Sequence, residues 1–397
     1  MTLRVATALP KRAVGLDKLG VVIALVLAGA WLLLPFADFK PNRILPGEPR
    51  SIFLALPPIY AVTIALALGI SIFISLLKIP AILRLLLGFI GLVALVLAIG
   101  VAGYHLTPEG DRLARIAPGA GFWVLASAYA LLAADSLTRL RLGPWPRLAM
   151  LALVAIGIGA LLWSGAWDEL SIIKEYASRA EAFWREGQTH IILAFGSLIV
   201  ATVIGIPLGI ACYRDNRLRT VVLNILNAVQ TIPSIALFGL LIAPLGALAA
   251  AMPALAAIGV SGIGAAPAMV ALFLYSLLPV VSNTVVGLLG VPEDAKDAAR
   301  GMGMTNRQRL VAVELPLAFP IILAGIRIIL VQNIGIATIA ALIGGGGFGV
   351  FVFQGIGQTA MDLVLLGAAP TVGLAFASAV ILDALVEMVS PQEPSND

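Results

Sequence analysis

Charged residues in this chain are separated by long apolar runs, and the runs set the expected elements. A charge in hydrocarbon is costly, so a gap between charges marks a segment that can cross a bilayer. The gaps 18–38, 50–78, 84–109, 115–135 and 147–168 each hold one candidate span, and 186–214 holds a sixth. No charge falls between Arg219 and Glu293, which is too long for one crossing. Two spans are expected there, near 221–245 and 267–290, joined by a stretch rich in Gly and Pro (Pro253, Gly259, Gly262, Gly264, Pro267). A ninth runs over 316–343 and carries Arg327, and a tenth near 363–388 carries Asp383. Lipid offers no hydrogen-bond partner and the runs lack the alternation of barrel strands, so the spans are helical. The expectation is an all-α polytopic membrane protein with about ten transmembrane helices.

The stretch 166–188 is different. Leu170, Ile173, Ala177, Ala180 and Trp184 recur at helical spacing among charges. That suits an amphipathic connector, lying in the interface or solvated as a linker. Before it, 1–165 forms a hydrophobic region of about five spans without a motif of known role. Its first span is expected to be retained rather than cleaved. Trp31, Pro35 and Phe36 follow its apolar core where a cleavage site needs small residues.

Composition excludes a soluble reading. Of 397 residues, 60% are hydrophobic and 12% charged, where a soluble surface needs about a quarter charged. The 40 glycines fit close helix packing, as in the Gly205/Gly209 pair around Pro207. Lys and Arg favour one set of loops two to one if the N-terminus is inside. Arg4, Lys11, Arg12, Lys18, Arg139, Arg141 and Arg147 are then inner; Lys40, Arg43, Arg50, Arg112 and Arg115 are outer. The single cysteine, Cys212, excludes a disulfide framework. His105 and His190 are isolated and expected at the interface, so no metal site is predicted. No catalytic constellation is visible. The run Gly344, Gly346, Gly349 fits a dinucleotide fingerprint by spacing only, because it follows an apolar helix rather than a strand.

One polar island interrupts the spans: VPEDAKDAARGMGMTNRQRLVAVE, 291–314. Its periodicity predicts two short helices broken at Gly301 and Gly303. It is either a docking surface or a plain connection. The run Asp297-Ala298-Ala299, three residues, Gly303, nine residues, Val313-Glu314-Leu315-Pro316 resembles the EAA loop of ABC-importer permeases. Asp297 stands where that pattern has Glu, and Val313 where it has Ile. The stretches GIPLGI (205–210), QTIPSIALFGLL (230–241), ALFLYSLLPV (271–280) and AGIRI (324–328) extend the likeness over roughly 187–390. They resemble permeases for glycine betaine, choline and other quaternary ammonium osmoprotectants, in the branch with an extended hydrophobic N-terminal half. Ser282-Asn283-Thr284 departs from the Arg-Asn-Thr of many relatives, which leaves the solute range open.

The resemblance implies a five-helix, MetI-like permease core over 189–390, with a coupling loop at 291–316 and a cytoplasmic tail at 391–397. It implies a bacterial inner-membrane protein with N-terminus, coupling loop and C-terminus cytoplasmic. Asp297, Ala298, Ala299, Gly301, Gly303, Glu314, Leu315 and Pro316 would then form the coupling loop. Its implied partners are two copies of an ATP-binding subunit that uses ATP and Mg, a second permease copy or paralogue, and a periplasmic or extracellular solute-binding protein, with membrane lipid around them and no nucleic acid. The chain itself would be no enzyme and bind no cofactor; it has no Gly-Lys-Ser or Gly-Lys-Thr. Polar residues at membrane depth are candidates for the solute path or for interhelical bonding. Asn224, Asn227, Thr231 and Ser234 are expected along one helical face; Asn283, Thr284, Gln332 and Asn333 join them. Arg327 and Asp383 are expected either to pair or to reach an interface. The competing class is a gradient-driven secondary transporter, for which Asp383 is the one candidate intramembrane carboxylate.

Overall fold

The computed structural model describes residues 17–42, 45–111 and 113–390. The expectations placed on Arg4, Lys11, Arg12, Arg43, Arg112 and the tail 391–397 lie outside them. Two compact units emerge: Met1–Leu142 with Gly157–Lys174, and Gly143–Ile156 with Glu175–Asp397.

The first unit contains α1 (Lys18–Leu33), α2 (Ile52–Ala55), α3 (Pro58–Leu76), α4 (Ala81–Leu106) and α5 (Ala120–Leu140). Its core gathers Leu27, Leu95, Ile99, Leu125 and Leu132, all buried. Glycines allow α4 and α5 to touch: a Cβ at Gly91 would lie 2.3 Å from the Tyr129 ring. A buried ion cluster ties three elements. Arg84 on α4 donates to Asp17 at 2.6 Å and to Asp135 on α5 at 3.1 Å. Asp17 also caps α1 through the Gly20 N–H at 2.8 Å. Burial pushes the Asp17 carboxyl up, but these bonds outweigh it and hold it below its usual value.

The loops of this unit build a three-stranded sheet that the all-helical expectation did not include. β1 (Ala37–Lys40) pairs antiparallel with β2 (Glu48–Arg50) and β3 (Arg115–Pro118), in the order β2-β1-β3. Ala37 lies opposite both Arg50 and Pro118. Strands of three or four residues are too short to show a period-2 pattern in the sequence.

α6 (Pro144–Trp163) begins in the second unit and ends in the first. α7 (Ser171–Ser178) and α8 (Ala180–Ile191) form the connector. A π-helical turn, Ile192–Gly196, then carries α8 into α9 (Ser197–Arg214) without a break. Phe183 packs against Phe348 and Phe351 at ring distances of 5.2 and 6.2 Å, so protein rather than lipid covers part of the connector's apolar face.

Next come α10 (Asn216–Thr231), α11 (Ser234–Ala251), α12 (Pro253–Ala257) and α13 (Ala265–Leu289). A single span near 221–245 was expected here; instead the chain is extended at Ile232 and Pro233, and the apolar span is α11 alone. Proline lacks the N–H that a continuous helix needs and pushes the residue before it into extended backbone. Then follow α14 (Glu293–Gly301), α15 (Asn306–Arg309), a π-helical turn Leu310–Glu314, α16 (Leu315–Ala337), a 3-10 segment Thr338–Ile343, α17 (Gly349–Gly357) and α18 (Met361–Val389). α13 is the central helix, with Ala268, Ala271, Leu272, Val280 and Val281 buried. Gly205 and Gly209 of α9 face it: added Cβ atoms would meet Val280 at 2.8 Å and Thr284 at 2.6 Å.

Among the described residues nine helices are long and apolar enough to cross a membrane. α1 is apolar but has 16 residues, about 24 Å at about 1.5 Å per residue, short of a bilayer's hydrocarbon core of about 30 Å.

Candidate functional site

The polar island folds as the expected hairpin. α14 has Glu293 and Asp294 in its first turn and Arg300 in its last, each at the end its charge favours. One face is anchored. Ala299 is buried, and so is Lys296, whose Nζ donates to Glu293 at 2.9 Å and lies 5.8 Å from the Tyr213 ring centroid. The bond from Glu293 holds the Lys296 ammonium above its usual value and, reciprocally, holds the Glu293 carboxyl below its own. The opposite face is free: Asp297 and Ala298 are exposed, and Asp297 accepts a hydrogen bond from Arg300 at 2.7 Å.

The break follows from backbone accounting. Met304 N–H reaches the Ala299 carbonyl at 3.1 Å and Gly303 N–H the Arg300 carbonyl at 2.9 Å, the paired bonds of a Schellman cap. That cap needs a left-handed residue, and Gly303 supplies φ +79°. No other group lies within 4 Å of a Cβ built there, so the demand at Gly303 is conformational rather than steric. Gly301 is the last residue of α14 and is exposed. Thr305 and Gln308 then form a reciprocal capping box that starts α15.

The return into the apolar region is fixed by Glu314. It is buried and accepts from Arg309 Nε at 2.6 Å. Leu315 packs against the cluster of Leu288, Val291, Leu310, Ala318 and Ile322, and Pro316 is the second residue of α16, directly after the π-helical turn. The sequence marked Glu314 but not its bond to Arg309, nor the Lys296–Tyr213 contact. Glu293 and Lys296 at i,i+3 were a local signal; Tyr213, on another helix, had none.

The candidate path residues separate. Asn224, Asn227 and Thr231 share α10 and are exposed, but Ser234 begins α11 beyond the break, so the four do not share one helical face. Gln332 is exposed; its neighbour Asn333 is wholly buried. Asn333 Nδ2 donates to Ser197 at 3.1 Å and Ser276 at 2.7 Å, joining α16, α9 and α13. Thr284 is buried and bonds the Val280 carbonyl at 2.7 Å. Asn283 bonds the Pro279 carbonyl at 2.8 Å and packs where Gly325 leaves room. Asn333 therefore holds three helices together and Thr284 is satisfied within its own helix, while Asn224, Asn227, Thr231 and Gln332 are exposed. Arg327 and Asp383 are hydrogen-bonded to each other.

One of the two histidines differs from expectation. His190 is fully buried under Phe348, ring centroids 5.2 Å apart, rather than interfacial. His105 lies in the last turn of α4, at the end of that candidate span. Gly344, Gly346 and Gly347 all have positive φ, and Gly347 N–H donates to Glu186 at 2.9 Å. The glycine-rich run is a packed turn ahead of α17. Among the described residues no group of three or more His, Cys, Asp or Glu could hold a metal ion.

Two family models match the chain in succession. Residues 17–173 match the N-terminal domain of the ABC transporter permease YehY, and residues 201–392 match the binding-protein-dependent transport system inner membrane component. Among curated relatives, the osmoprotectant import permease protein OsmW of Salmonella typhimurium is 41% identical over 203 residues, covering 51% of this chain and 89% of that protein. The glycine betaine/carnitine/choline transport system permease protein OpuCB of Bacillus subtilis is 34% identical over 53% of this chain and 90% of its own length. The carnitine transport permease protein OpuCB of Listeria monocytogenes is 35% identical over 51% and 86%. An inward-facing structure of the MetNI methionine ABC transporter aligns over 53% of this chain and 98% of its own, at 24% identity and a TM-score of 0.46.

Proposed function

Because the chain belongs to the binding-protein-dependent inner membrane transport components and is an ABC importer permease of the osmoprotectant class, we propose that it moves quaternary ammonium solutes, glycine betaine, choline or close relatives, on ATP hydrolysed by a separate subunit. The observation that carries this reading is the hairpin of α14 and α15. Its inner face is tied down by Lys296 and Ala299, while Asp297 and Ala298 stand exposed beside a Schellman turn at Gly303. Such an element gives a second protein a firm surface to push against. Two ATP-binding subunits engage the hairpins of two permease copies, or of one copy and a paralogue. ATP and Mg are used in those subunits. A solute-binding protein delivers the solute at the outer face.

On this reading 189–390 is the permease body with its coupling loop at 291–316, 1–165 is an added region, 166–188 connects them, and 391–397 is a tail. The protein lies in a bacterial inner membrane, with both termini and the hairpin cytoplasmic. Asn224, Asn227, Thr231 and Gln332 are the polar side chains available to a passing solute.

The test is uptake of labelled glycine betaine by cells carrying this chain with its ATP-binding subunit and binding protein. Uptake is expected to require ATP and to vanish in Gly303→Val at equal membrane level, because a β-branched side chain is badly strained at φ +79°. Uptake of choline in place of betaine moves the specificity and keeps the mechanism. Uptake that persists without the ATP-binding subunit overturns the proposal in favour of a gradient-driven carrier.

A further inference from the structure

The chain carries a second ion cluster that the transport family's own segment does not complete. Asp383, near the inner end of α18, accepts one hydrogen bond from Arg327 of α16 and another from Arg147 at 2.5 Å. The second guanidinium nitrogen of Arg147 pairs with Glu387, one turn further along α18. Two guanidiniums thus face two carboxylates, and the cluster is neutral. Arg327, Asp383 and Glu387 fall within the stretch matched by the transport component, 201–392; Arg147 falls within the stretch matched by the YehY-type N-terminal domain, 17–173.

The setting gives the cluster weight. Arg147 lies in the first turn of α6, no residue of which is fully buried, so side-chain packing holds this helix only weakly. Yet its first part, Gly143–Ile156, belongs with the permease unit. Arg147 is its ionic link there, forked across both carboxylates and also bonded from Nε to the Gly143 carbonyl. Without Arg147, α18 would keep two carboxylates, four residues apart on one face, against a single guanidinium. An uncompensated charge near hydrocarbon is costly, and α18 would relieve it by shifting its inner end toward water.

We infer that Arg147 is a positioning residue of the transport core. By fixing Asp383 and Glu387, it holds the inner end of α18 against α16, the helix that leads directly out of the coupling hairpin. Helix α6 is then a working part of the permease supplied by its N-terminal region. The importer reading enters only through the transport measurement.

The experiment is a charge-balance cycle in proteoliposomes holding the whole complex at matched protein level. Arg147→Ala is expected to lower maximal uptake about tenfold or more while KM stays within about twofold, because the lesion leaves an unpaired charge and touches no solute. Arg147→Lys, which keeps the charge but not the fork, is expected to retain part of the rate. Adding Glu387→Gln to Arg147→Ala restores neutrality and is expected to recover uptake to within about threefold of the parent. Unchanged uptake in Arg147→Ala overturns the inference. So does failure of both the lysine variant and the double variant to recover any uptake at normal membrane level. If the parent complex moves no quaternary ammonium solute, the proposed function fails instead. The clasp is then read from solute-free ATP turnover, which Arg147→Ala should change severalfold and Glu387→Gln reverse; turnover that is the same in all variants overturns it.

Discussion

Two glycine-bearing turns of the permease unit use the same residue for opposite ends. At the hairpin, Gly303 stands in open space and is needed only for its φ of +79°. At the turn before α17, the backbone is driven into its neighbours. A Cβ at Gly349 would lie 1.8 Å from the Thr338 carbonyl oxygen, and one at Gly367 of α18 would lie 2.4 Å from that of Phe348. The hairpin is finished by its own caps and leaves a face uncovered. The α17 turn is finished by other parts of the fold, and Gly345, Gly347, Phe348 and Gly349 are buried there. The hairpin's exposed turn takes its shape from neighbours in sequence; the α17 turn takes its shape from residues distant in the chain.

The contrast is broken most severely at Gly349. Gly349→Ala forces backbone apart, and a loss of more than ~3 kcal/mol, the upper end of overpacking costs, is expected in detergent melting or as loss of folded protein. A variant that melts like the parent would refute the close-packed turn. Second is Arg309→Ala, which strands the Glu314 carboxylate. Removing one partner of a buried pair costs about 3–5 kcal/mol. Arg309's side chain is 18% exposed against 2% for Glu314, so water screens part of the loss, and about 2–3 kcal/mol is expected. The double variant Arg309→Ala/Glu314→Gln should recover much of it, and a cycle without coupling would dismiss the pair.

Third, Gly303→Ala adds about 1–2 kcal/mol of left-handed strain with no clash, and Gly303→Asn should cost less because Asn tolerates that region. Equal losses at Gly303 and Gly349 would erase the distinction. Fourth, Ala298→Glu on the uncovered face should change stability by no more than about 0.5 kcal/mol. It should nevertheless abolish ATP-dependent uptake, and normal uptake would remove that face from coupling. The smallest effect is in pH. Glu293's lowered value means its tie to Lys296 is complete above the usual carboxylate value of 4.5 and lost as pH falls through the lowered one. Lys296's raised value keeps the tie complete below 10.5 and loses it only at more alkaline pH. Protease cleavage at the hairpin should therefore be flat across neutral pH and rise in acid. A change centred near pH 7 would exclude this pair as the anchor.

The same contrast explains what the sequence disclosed. The hairpin was legible because its determinants are neighbours: Asp297-Ala298-Ala299, Gly301 and Gly303 lie within a few residues, though the Thr305–Gln308 cap, equally local, was not read. The apolar spans were legible for the same reason. The α17 turn was visible only as a run of glycines, because its meaning lies in Thr338, Phe348 and Val352 as they meet it in space. Pro233 was visible, yet the span was drawn through it, since charge-free gaps do not report backbone breaks. Asn333 looked like any polar residue at depth until Ser197 and Ser276, on two other helices, met it. The short strands and the Arg147 cluster likewise depend on partners distant in the chain.

The ring of Tyr213 under Lys296 has a mechanical consequence. Tyr213 is the penultimate residue of α9, and α9 is seated on α13 through Gly205 and Gly209, against whose backbone the Val280 and Thr284 side chains press directly. On the coupling proposed above, a load applied to the exposed side of α14 would pass into the end of a long rod whose backbone bears closely on its neighbour's side chains. The capped turn at Gly303 lies beyond that path, so its left-handed backbone would bear none of the load.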